Sequence, residues 1–227
     1  MIKIKLNNIR YKIKTRFTVE DWVALNRMDT EAPANWPKIM SIGFNQSYAK
    51  FYNISEDSMI LGVGIVLAQS NNRKECKHRD FTTLSIGEFI DLDIWLVDGI
   101  EKHLDAILGV ISTKTIKYID EALYVLDQYI KFRNSTYRAY AGLFGLDENA
   151  EEMVDEDEMV DTRKVAKGWY RVIVDLADNQ LLQLDKITDE PLYKTLTFLS
   201  LRKERALEEQ RQQLKLKQAH DISRNRK

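Results

Sequence analysis

TLSIGEFIDLDIWL, residues 83–96, decides whether this chain reads as chemistry or as architecture. Three carboxylates, Glu88, Asp91 and Asp93, fall within six residues among Ile, Leu, Phe and Trp. At helical spacing Ile86, Phe89, Ile90, Ile94, Leu96 and Val97 form one apolar arc, with Glu88, Asp91 and Trp95 opposite it. Ser85 and Glu88 have the S-x-x-E form of a capping box, in which each side chain satisfies a backbone N–H that the first helical turn leaves free. Asp91 gains from the positive end of the helix dipole. A helix start therefore accounts for two of the three acids.

Asp93 lies inside the apolar arc, where a carboxylate is costly unless paired or hydrogen-bonded. His78, Arg79, His103 and Arg133, or free backbone N–H groups of another helix start, are the candidate partners. Asp91 and Asp93, two residues apart on a helix, face different ways and do not form a catalytic pair. Ser85, Glu88 and Asp93 are thus expected to be structural.

Working outward, residues 2–14 alternate Ile2, Ile4, Leu6 and Ile9, Tyr11, Ile13 with Lys and Arg, around Asn7-Asn8. That is a β-hairpin with an apolar face and a basic face. Thr18 and Asp21 cap a following helix through Trp22, Leu25 and Met28, and Asn35 starts another at Trp36-Pro37. Ser55 begins a helix carrying MILGVGIVLA (59–68), apolar enough to predict burial on most sides, with close packing at Gly62 and Gly64. Helical periodicity continues over 86–111, with one helix or two left open at Asp98-Gly99, and over 115–133. Ser135 is read as the cap of a short helix ending at Gly145, residues 164–177 as a further helix, and Thr188 or Asp189 as the cap of a last long one.

The expected fold is mostly α with a small N-terminal β-hairpin: a helical bundle ending in a long protruding C-terminal helix. Composition divides it into a small α+β unit at 1–50, a helical domain at 51–201 and a charged helical or disordered tail at 202–227. An acidic loop at 147–161, with nine Asp or Glu among fifteen residues, interrupts the helical domain.

Several function classes lose support. The 227 residues carry a net charge of −1, so no global electrostatic attraction to nucleic acid or an anionic membrane exists. The longest apolar run, ten residues, is half of what a bilayer-spanning helix needs. The N-terminus lacks the apolar core of a signal peptide, and one cysteine suits a reducing compartment, so a soluble intracellular protein is expected. Cys76-x-His78 has no second ligand pair at zinc-like spacing, and no nucleotide-binding, metalloprotease or nucleophile-elbow motif occurs. Neither catalysis nor a cofactor or metal is expected. The tail holds nine basic and four acidic residues on good helix formers with a thin apolar stripe, which suits a partner-binding arm. Arg202, Arg205, Arg211, Leu214 and Lys215 are its candidate contacts, and Glu151, Asp155 and Asp157 those of the acidic loop. The basic hairpin face leaves nucleic acid as a weaker third reading.

KIKLNNIRYKIKTRFTVEDWVAL, NWPKIMSI, TLSIGEFIDLDIWL, YAGLFGL and GWYRVIVDLADNQLLQLDKITDEPLYKTLTFLS together resemble tail proteins of contractile bacteriophages. The nearest group is the T-even-type baseplate hub assembly proteins and similar tail-assembly chaperones. The resemblance spreads over most of residues 1–201 and does not extend to the acidic loop or the basic tail. It implies a non-enzymatic assembly factor in the infected bacterial cytoplasm, binding phage tail, baseplate hub or tape-measure proteins. A structural subunit of the virion is the alternative, and oligomerisation stays open.

Overall fold

The structure is a computed structural model that describes residues 2–7, 9–144, 162–178 and 180–224, with side chains over 3–7, 9–144, 165–178 and 180–218. The fold is mostly helical with one N-terminal hairpin, and it ends in a long helix. Its contacts define two compact units: residues 1–79 with 99–130, and residues 80–98 with 131–227.

In the first unit, strands β1 (Ile2–Leu6) and β2 (Ile9–Ile13) pair antiparallel, and Asn7 takes the positive φ of 44° that the turn demands. Leu6, Tyr11 and Ile13 are buried, while Lys3 faces Lys12 and Lys5 faces Arg10 across the solvent side. Helix α1 (Val19–Asn26) starts with the expected box: Thr18 Oγ1 accepts from the Asp21 N–H, and the Asp21 carboxylate accepts from the Thr18 N–H, both at 3.1 Å. Arg27 caps its end, so Met28 lies beyond the helix. Helix α2 (Trp36–Phe44) follows Asn35, whose side chain donates to the Asp29 carbonyl instead of capping.

Helix α3 (Glu56–Ser70) corrects the expectation of burial on most sides. Val63 and Val66 are buried, but Ile60 and Leu61 are half exposed and Gly64 faces open space. Gly62 does meet a neighbour, since a Cβ there would lie 2.7 Å from Met40 Cε. The tighter approach is at Gly43, where a Cβ would fall 2.1 Å from Val66 Cγ2. Helix α5 (Ile100–Ile111) and the first part of α6 (Ile119–Ala139) complete this unit.

The starts of α1 and α6 are clasped together. The Val19 N–H donates to the Lys117 carbonyl at 3.2 Å and the Ile119 N–H to the Phe17 carbonyl at 3.0 Å, so each helix satisfies a free donor of the other. Arg16 reinforces the clasp: its guanidinium donates to both Asp120 oxygens, at 2.8 and 2.6 Å, and to Glu121 at 2.8 Å, and lies 3.9 Å from the Tyr118 ring centre.

The second unit contains α4 (Ile86–Asp98), the rest of α6, α7 (Ala141–Phe144), α8 (Thr162–Leu176), α9 (Leu184–Thr188) and α10 (Leu192–Arg224). Gly99, at φ 119°, ends the run that α4 begins, so 86–111 is two helices. Ser135 lies within α6 rather than at a helix start, and its hydroxyl donates back to the Phe132 carbonyl. Thr188 and Asp189 belong to the end of α9, not the cap of α10. Instead the start of α10 is clasped to that of α4: Ile86 N–H donates to the Glu190 carbonyl at 2.8 Å and Leu192 N–H to the Leu84 carbonyl at 3.0 Å. The core beneath is Ile86, Phe89, Ile90, Trp169, Ile173, Leu192 and Leu196.

The Arg16 fork makes the first clasp acid-sensitive. Its hydrogen bond holds the Glu121 carboxyl below its ordinary pKa of 4.5. A carboxyl lowered in the folded state adds stability above its unfolded pKa and loses it as the pH falls through the folded value. Thermal melts should therefore show stability declining from about pH 4.5 downward. Arg16→Met should lower stability at neutral pH by about 1 kcal/mol and flatten that acid limb; an unchanged limb would contradict the role of the fork.

Candidate docking surfaces

Asp93 resolves as a structural anchor. The residue is 2% exposed, and its Oδ1 lies 2.6 Å from both Nε and Nη2 of Arg133. Its Oδ2 accepts from the Tyr137 hydroxyl at 2.8 Å and from Trp169 Nε1 at 3.0 Å. One carboxylate thus ties α4 to α6 and α8. Of the four candidate side chains, Arg133 is the one that meets it; Tyr137 and Trp169 were not anticipated. Burial and the adjacent Asp93 charge push the Tyr137 phenol well above its usual pKa, which keeps it a donor. Ser85 and Glu88 form their box, with Ser85 N–H donating to Glu88 at 2.9 Å and Glu88 N–H to Ser85 Oγ at 3.1 Å.

Trp169 fixes the register of α8 beside α4, and that placement opens a groove of about 800 Å³ between α4, α8 and α9. Ile90, Ile94, Trp169, Ile173 and Leu184 line it, and Tyr170, 61% exposed, stands at its mouth. Among the described side chains that line it, Glu88, Asp91 and Asp189 supply three carboxylates and Lys167 one cation. Desolvation and the nearby Glu88 raise the pKa of Asp91 above its ordinary value. The volume and apolar lining suit a side chain or helix face.

The second surface is the outer part of α10. Leu192, Leu196 and Leu199 are buried, whereas every residue from 201 to 218 is exposed. Arg202 is engaged within its own unit, its Nη1 lying 3.1 Å from Asp175 of α8. Lys203 donates to the carbonyls of Gly142 and Leu143 at 2.6 and 3.2 Å. Arg205, Arg211, Leu214 and Lys215 remain on the open helix, with Leu207 beside them. Arg211 and Lys215 share one shallow surface with Leu207, Glu204 and Glu208. Glu151, Asp155 and Asp157, together with the rest of the acidic stretch, lie outside the described residues.

Among the described residues, no group of three or more His, Cys, Asp or Glu is arranged to hold a metal, and no helix is long and apolar enough to cross a membrane. Cys76 is half-buried, its thiol donating toward the Glu121 carbonyl, and burial raises its pKa. No family model, curated protein or solved structure matches the chain.

The anchor has a measurable consequence. Asp93→Leu leaves Arg133, Tyr137 and Trp169 without their acceptor and should cost about 3 kcal/mol in urea denaturation, with Asp93→Asn falling between it and the parent. Equal stability of the three proteins would remove Asp93 from the role described.

Proposed function

We propose that this chain is a non-enzymatic assembly factor for a contractile phage tail, acting in the host cytoplasm by binding a baseplate hub, tail or tape-measure protein. The observation that carries the reading is the outer half of α10, a helix end exposed from residue 201 through 218. Its Leu207 and Leu214, 45% and 53% exposed, recur seven residues apart among Arg205, Arg211 and Lys215. Apolar residues at that spacing on a preformed helix are what a helix-in-groove partner reads. The sequence resemblance to hub assembly proteins supplies the partner class.

Mass spectrometry of purified particles beside a pull-down from infected cells tests this. The expected result is capture of a hub, tail or tape-measure protein from the lysate and absence from finished particles. Stoichiometric presence in particles would instead make it a baseplate subunit. Removing residues 203–227 should abolish the capture; an unchanged set of captured proteins would overturn the role given to the helix.

A further inference from the structure

The α4–α8–α9 groove and the outer half of α10 are complementary to each other. The groove offers an apolar floor with carboxylates at Glu88, Asp91 and Asp189. Among the described residues, Asp91 and Asp189 have no cationic partner, and Lys167 is the basic residue whose described side chain lines the groove. On α10, at 3.6 residues per turn, Leu207 and Leu214 point the same way with Arg211 between them. Lys215 and Lys217 lie within about 80° of that line on either side, and Glu204 and Glu208 are the acids that share this surface among the described side chains. A leucine stripe bordered by cations faces an apolar groove bordered by anions.

The two surfaces cannot meet within one chain. Helix α10 is unbroken from Leu192 to Arg224, and its first turns are buried in the same unit through Leu192, Leu196 and Leu199. Leu207 is eight residues past Leu199, about 12 Å further along a straight helix, so reaching its own groove would require breaking the helix. A second copy has no such constraint, and exchange of identical elements about a two-fold axis closes the assembly.

We propose that the outer half of α10 of one copy docks in the α4–α8–α9 groove of a second copy, forming a reciprocal dimer. This goes beyond the assembly role: the dimer covers the same Leu207–Leu214 face, so a tail protein that binds there competes with the second copy, and the dimer is tested on the isolated chain with no tail protein present. Sedimentation velocity on the full chain should show a concentration-dependent monomer–dimer equilibrium that weakens with added salt. The groove variant Asp91→Lys/Asp189→Lys and the helix variant Arg211→Glu/Lys215→Glu/Lys217→Glu should each weaken dimerisation at least about tenfold. Combining both sets in one chain should restore it to within about threefold of the parent. Circular dichroism verifies that these surface variants fold. An excess of a synthetic 203–218 peptide, which leaves the protein unaltered, should convert dimer to monomer. A full chain that stays monomeric, charge variants that dimerise like the parent, a combination that fails to recover, or a peptide without effect would each overturn the proposal.

Discussion

The Asp93 carboxylate is the constraint on which the second unit depends. Buried and negative, it is unfavourable alone, and its cost is offset only when all three donors arrive together. Arg133 and Tyr137 come from α6 and Trp169 from α8, so the correct pairing of three helices is a condition for satisfying one group. A purely apolar contact tolerates sliding by a residue, but this directional one does not. The Trp169 ring packs edge-on against Phe89 and Phe144, with centroids at 6.1 and 5.8 Å. Polar register and apolar burial therefore fix the same helix, and the groove wall follows from it.

A second device recurs in both units. In each, two helix starts distant in sequence exchange backbone hydrogen bonds, on either side of the bridge pairs Thr18–Tyr118 and Ser85–Pro191: Val19 N–H to Lys117 and Ile119 N–H to Phe17, Ile86 N–H to Glu190 and Leu192 N–H to Leu84. The first helical residues, Val19, Ile119, Ile86 and Leu192, are all buried apolar side chains whose N–H groups would otherwise lack partners. In each pair one helix carries a capping box, at Thr18–Asp21 and at Ser85–Glu88. Pro191 fits the uncapped side, since it has no N–H to satisfy. The arrangement lets a helix begin inside a core without stranded donors.

This separates what was legible in sequence from what was not. The hairpin, the two capping boxes and the burial of Asp93 follow from local spacing and from the cost of a charge on an apolar arc. The run Met59–Ala68 misled, because apolar content does not say how many neighbours a helix has; Ile60 and Leu61 remain exposed. The merging of 119–139 into one helix was hidden by Ser135, whose preference for caps is outweighed by its bond to the Phe132 carbonyl. The clasps and the groove were invisible for another reason. They depend on residues a hundred positions apart, and no pattern along one segment encodes where another segment will lie.

Helix α10 shows how these layers reach the surface. Its first turns are held by the clasp and by Leu192, Leu196 and Leu199, and its exit is pinned twice, by Arg202 on Asp175 and by Lys203 on the carbonyls of Gly142 and Leu143. Two of the tail's cations thus act as fasteners rather than as bait. Lys203 satisfies carbonyls of α7 and Arg202 pairs with Asp175 of α8, and together they fix the direction in which the remaining helix leaves its unit. A partner that meets Leu207 and Leu214 meets them already spaced on a helix continuous with an anchored core. An isolated segment so sparse in apolar residues would have to order itself on binding, losing about 1–2 kcal/mol per residue of backbone freedom. Continuity with the core removes much of that cost, which is why so polar a helix can still serve as a binding arm.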